Sequence, residues 1–155
     1  MSPKIIIFLL SMLPISELRG AIPLGVKVYD IPIWTAFFWA VIGNIVPVIL
    51  IFFGLDFLVN KILVHKVYFF NRFFTWLFEK TKRRHIKKFE RWKDFALVVL
   101  VAIPLPLTGA WTGALAAFVF GIPPRRAIPL IVIGVLVAGL IVSLATIGII
   151  HLPGW

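Results

Sequence analysis

The sequence predicts an all-α integral membrane protein. It reads as two inverted repeats, each a re-entrant helical hairpin followed by a transmembrane helix, joined by a basic amphipathic linker. Three observations carry this: apolar runs of bilayer length, helix breakers in the middle of two of them, and one block of positive charge between two apolar halves.

Of the 155 residues, 61% are hydrophobic, and the mean hydropathy is +1.06. Soluble domains are usually about 45–50% apolar. Runs of roughly 20 apolar residues span about 30 Å of hydrocarbon. The length suits a single membrane domain over 1–155, with no separate soluble domain. There is no cysteine, which excludes disulfides, thiol catalysis and cysteine-ligated metals. The start could be mistaken for a signal peptide. However, Glu17 and Arg19 interrupt its apolar run and no small-residue cleavage site follows, so it reads as mature structure.

The elements follow in order. Residues 4–29 are apolar but broken by Pro14, Glu17, Arg19, Gly20 and Pro23, which predicts the first hairpin. Residues 33–58 form a full-length span. Residues 60–94 are aromatic, then basic, and 61–94 hold 11 Lys/Arg against 3 Asp/Glu. That pattern suits helices lying on an anionic membrane surface, and with apolar halves on both sides it points to lipid rather than nucleic acid. Residues 95–120 are broken by Pro104, Pro106, Thr108, Gly109 and Gly113, giving the second hairpin. Residues 127–150 form the second span.

The halves align in short matches. Leu18-Arg19-Gly20-Ala21 pairs with Leu107-Thr108-Gly109-Ala110 at an offset of 89. Ile31-Pro32 pairs with Ile122-Pro123, and Ile42-Gly43 with Ile133-Gly134, both at 91. Two topologies compete. If every apolar segment crosses, there are four spans, and the linker and Arg125-Arg126 lie on opposite sides. If the broken segments dip in and return, each half has one crossing and both basic regions share a side. The positive-inside rule favours the second, with 60–94 in the cytoplasm. Polar backbone at hairpin turns must be sheltered from lipid, and few elements are available to do it, so a homo-oligomer, most simply a dimer, is expected.

Glu17 and Arg19 are the sharpest chemical signal. A charge at the centre of a span costs roughly 2.5–3.5 kcal/mol on insertion scales. At a hairpin turn Arg19 could hold an anionic group, and Glu17 could bind a proton or a cation. Alternatively, the two could satisfy each other or cap half-helix ends. Gly20 and Pro23 complete that turn. In the second hairpin Thr108, Trp111 and Thr112 are the polar-capable side chains, beside Pro104, Pro106 and Gly109. Gly109 and Gly113 also form a GxxxG, which suits plain helix packing. Asn44 sits mid-span, three residues before Pro47, and could bond to a hairpin or to a kinked backbone. Lys82, Arg83, Arg84, Lys87, Lys88, Arg125 and Arg126 are candidates for lipid head-group contact. His65, His85 and His151 lack metal-ligand spacing, and no nucleophile–base set or phosphate loop occurs. Neither an enzyme nor a cofactor is expected.

ELRGAIPLG near the start, GNIVPV in the first span and PLPLTGAWTG in the second half resemble the small multidrug export family of prokaryotic membrane proteins. The resemblance covers nearly the whole chain. That family looks distantly similar to the DedA family, whose members are implicated in flipping polyprenyl-phosphate carriers and are built on re-entrant hairpins. The resemblance implies a small transporter in the cytoplasmic (inner) membrane, with Glu17 and Arg19 as the charged pair of the first hairpin. DedA proteins usually carry an arginine in the second hairpin region; here Arg125 and Arg126 lie only at its exit. Three functions are therefore expected, in order: a flippase for an anionic lipid or phosphate-bearing amphiphile, a proton-coupled small multidrug exporter, and a non-transporting structural membrane protein.

Overall fold

Pro14 sets the first bend. The residue before a proline is pushed out of the helical region, and Leu13 is extended, with ψ 136°, so the first helix (α1, Pro3–Met12) stops there. The second helix (α2, Glu17–Lys27) then turns back along it. Gly25 lies against Ile7, residues that one continuous helix would hold about 27 Å apart. The computed structural model describes residues 2–61, 90–105 and 108–151, and these form six helices without strands.

The long α3 (Ile33–Lys61) follows. A second helical hairpin comprises α4, helical over 90–102, and α5 (Ala110–Val119). The chain closes with α6 (Pro124–Ile150). The expected amphipathic linker helices fall mostly on residues 62–89, outside the described residues. Two expected boundaries move. Residues 90–94, read as linker, belong to α4. The last span begins at Pro124 rather than 127, because a proline in the first turn needs no amide partner.

Ile33–Leu55 and Pro124–Ile150 are each long and apolar enough to cross a bilayer. Their outward faces stay apolar, with Trp34, Phe38, Phe53, Leu140 and Leu144 all exposed. A soluble helix buries such residues against a core and turns polar ones outward; hydrocarbon is the medium that suits both faces.

Close contacts fix the register. Gly139 of α6 lies against Phe37 and Val41 of α3. Lower on α6, Val135 and Ala138 line a cavity with Asn44. One number falls as the other rises, so α3 and α6 run antiparallel. The first hairpin packs along the N-terminal half of α3, with Gly25 at Ala36 and Gly43 at Ser11. The second packs along the N-terminal half of α6, with Val101 at Gly134. Both tips therefore meet near the midpoints of the two long helices.

The two halves make one contact in common. A methyl group on Gly43 would come within 2.3 Å of the Phe8 carbonyl oxygen and 2.0 Å of Ser11 Oγ. On Gly134 it would lie 3.0 Å from the Val98 carbonyl oxygen and 2.6 Å from Val101 Cβ. Without a hydrophobic force between lipid-exposed helices, such close backbone packing is a main source of cohesion. Gly43→Ala is expected to cost about 1–3 kcal/mol, because carbonyl backbone cannot move aside. Gly148→Ala, at an open position, should cost nothing measurable when both are melted in the same detergent.

Candidate functional site

The hairpin tips supply what each other's helix ends lack. A half-helix leaves amides unsatisfied at its start and carbonyls at its end, and the macrodipole adds partial charge of matching sign. Gly109 precedes α5 and offers no side-chain cap. Glu17 supplies one from the other hairpin, its carboxylate accepting the Trp111 backbone amide. Gly109 has φ 133°, and a methyl group there would come within 2.1 Å of Glu17 Oε2, so the carboxylate rests on bare backbone. Glu17 itself holds a left-handed φ of 44°, a conformation that costs about 1–2 kcal/mol outside glycine.

Arg19 fastens the bend between α4 and α5. Its guanidinium donates to the carbonyls of Leu105 and of Thr108, the latter at 2.6 Å, and to Glu17 Oε2 at 3.2 Å. The Thr108 hydroxyl ties the same bend, accepting the Leu105 amide at 3.1 Å with the carbonyls of Ile103 and Leu105 in reach of its proton. Trp111 Nε1 donates to the Met12 carbonyl at 3.0 Å, closing the junction from the α5 side.

Glu17, Arg19, Asn44, Pro104, Thr108 and Gly109 thus come together around one cavity of about 10 Å³. Glu17 and Asn44 are buried, and the Asn44 amide oxygen has no hydrogen-bond partner among the described residues. Outside the cavity, Arg19, Pro23 and Pro104 also line a groove of about 350 Å³ between α2 and α6. Ile141, Val142, Ala145 and Ile149 give it apolar walls, and Lys27 stands at its far end from the tips.

The remaining candidates stand apart. Gly20 is exposed, and Thr112 is half-buried on α5. Arg125 is exposed at the start of α6. Arg126 bridges to Asp94, with Nε 2.7 Å from Oδ2, and to Glu90 at 3.0 Å, fastening α6 to α4. Lys93 Nζ donates to the Phe120 carbonyl at the end of α5, at 3.2 Å. Pro106, Lys82, Arg83, Arg84, Lys87 and Lys88 lie outside the described residues. Sequence reasoning did not single out Lys27, which lines the groove. Its place on the Arg19 face, eight residues on along α2, was the available signal.

The sequence profile described as "Putative small multi-drug export protein" matches residues 17–141, from the charged tip of the first hairpin into the second half of α6. The chain belongs to that family. Family membership and two bilayer-length helices together make it a membrane protein of an export family. No curated protein and no solved structure matches this member of the small multi-drug export family.

Proposed function

We propose that this family member translocates amphiphiles with anionic heads, such as phosphate-bearing lipids, across the cytoplasmic membrane of a prokaryote. The observation that carries this reading is the groove between α2 and α6. Its volume of about 350 Å³ falls in the range of small-molecule sites. Two cationic side chains, Arg19 and Lys27, line it at different depths among apolar walls. A charged head would move from one cation to the other while its tail stays in lipid.

The membrane arrangement belongs to the same proposal. Each hairpin enters beside the N-terminal end of its long helix and reaches mid-depth, as a re-entrant hairpin does. The antiparallel α3 and α6, and the glycine contact common to both halves, support an inverted repeat. Residues 60–94 and Arg125 then face the cytoplasm, and the groove opens in the outer half. A second copy sheltering the hairpins as a dimer completes the picture. Single cysteines at Lys82 and Arg125 should both resist an impermeant thiol reagent in intact cells and react after permeabilisation. Labelling of Arg125 from outside would overturn the topology.

The transport test uses proteoliposomes with a fluorescent phosphate-headed amphiphile and an impermeant quencher. Lys27→Gln should slow translocation about tenfold, equivalent to about 1.4 kcal/mol from one charge-assisted contact. A cationic-headed analogue should not move. A second reading, proton-coupled export of cationic or apolar drugs with Glu17 as the embedded acid, stands closer to the family description of multi-drug export. Movement of the cationic analogue in the wild type, lost in Glu17→Gln, would install that reading instead.

A further inference from the structure

Asn44 is 1% exposed, yet its amide oxygen has no partner among the described residues. Such an orphaned acceptor is costly in a low-dielectric interior. It lines the central cavity with the Glu17 carboxylate, and that cavity of about 10 Å³ is the size of one water. Leu18, Val101, Val135 and Ala138 make the rest of the wall largely apolar. The cavity therefore holds an acceptor waiting for a donor, beside a carboxylate that becomes a donor when it takes up a proton.

Arg19 borders both the cavity and the groove. Its Nη2 is shared between Glu17 Oε2 and the Thr108 carbonyl. Among the cavity-lining residues Arg19 is the one other charged group facing Glu17. α3 contributes Asn44 and α6 contributes Val135 and Ala138. The second hairpin contributes Thr108, Gly109 and the Trp111 amide.

We propose that an anionic head in the groove and a proton on Glu17 bind together, with Asn44 as the acceptor that receives the Glu17 proton. The inference rests on the anionic-amphiphile reading of the groove. In this step Glu17 takes a proton from water, and its new O–H donates to Asn44 Oδ1 directly or through one water. The Arg19–Glu17 ion pair opens. Arg19 keeps its charge, and the freed N–H donates to the head group. One anionic charge enters with one proton, so the net charge at the tips stays at zero and no buried charge is left unpaired. Release of the head returns Arg19 to Glu17 and sends the proton back to water.

The test uses purified protein in weakly buffered detergent with a pH-indicator dye. The probe is decanesulfonate, whose head does not titrate. Wild type should take up about one proton per sulfonate bound, the stoichiometry that keeps the tips neutral. Glu17→Gln, which mimics the protonated state, should bind the sulfonate at least as tightly with no proton uptake. Asn44→Leu, which fills the site with an apolar side chain of similar size, should bind severalfold more weakly and need a lower pH for the same uptake. Binding to the wild type without proton uptake overturns the coupling and leaves the groove reading intact. Unchanged uptake in Asn44→Leu overturns the role of Asn44. No binding to the wild type overturns the groove reading and the coupling together.

Discussion

Arg19→Ala is expected to abolish translocation and to remove about 3–5 kcal/mol of stability in the same stroke. The side chain is only 19% exposed and its partner Glu17 only 4%. Deleting the guanidinium strands the carboxylate and takes the donor from the Leu105 and Thr108 carbonyls. The two losses separate in a double variant. Glu17→Gln combined with Arg19→Ala removes the stranded charge and should recover a large part of the stability, while translocation stays absent. Arg19→Lys keeps the charge but not the planar fork, so it should fold with an intermediate loss. Unfolding in detergent and translocation in proteoliposomes read the two quantities separately. An Arg19→Ala protein as stable as wild type would mean that the guanidinium does not clamp the hairpin tips.

Gly109→Ala should cost about 2–4 kcal/mol, from a left-handed backbone and a methyl group driven into the Glu17 carboxylate. Gly121 is the control. It has φ 66° with open space around it, so its alanine variant carries the backbone cost alone, about 1 kcal/mol. The difference between the two melts measures how firmly Glu17 is seated on α5. Equal losses would show that the carboxylate does not occupy the start of that helix.

Much of this architecture was legible along the chain. Pro14 and Pro104 mark the bends because a proline restricts the residue before it wherever it occurs. The spans were legible because hydrocarbon demands long apolar runs whatever their neighbours. The tie of α6 to α4 was not. Residues 90–94 read as part of a basic surface linker, yet Glu90 and Asp94 are the acids that hold Arg126. Two acids in a basic run look like solvated charges until a partner 32 and 36 residues away is brought beside them. Glu17 and Arg19 were conspicuous as charges out of place, and both readings of them, a ligand site and caps on half-helix ends, were open.

The sequence by itself determined that this is a membrane protein with two long helices and two broken segments, and it singled out one acid and one base within an apolar run. Those properties follow from side-chain type and local backbone restriction, which act within a few residues. Only the tertiary structure decided what the acid and the base hold. Besides pairing with each other, Arg19 holds main-chain carbonyls nearly ninety positions away and Glu17 a main-chain amide. Every residue but proline carries both groups, so no side chain advertises which are left unsatisfied. That depends on where each half-helix stops and which hairpin faces it.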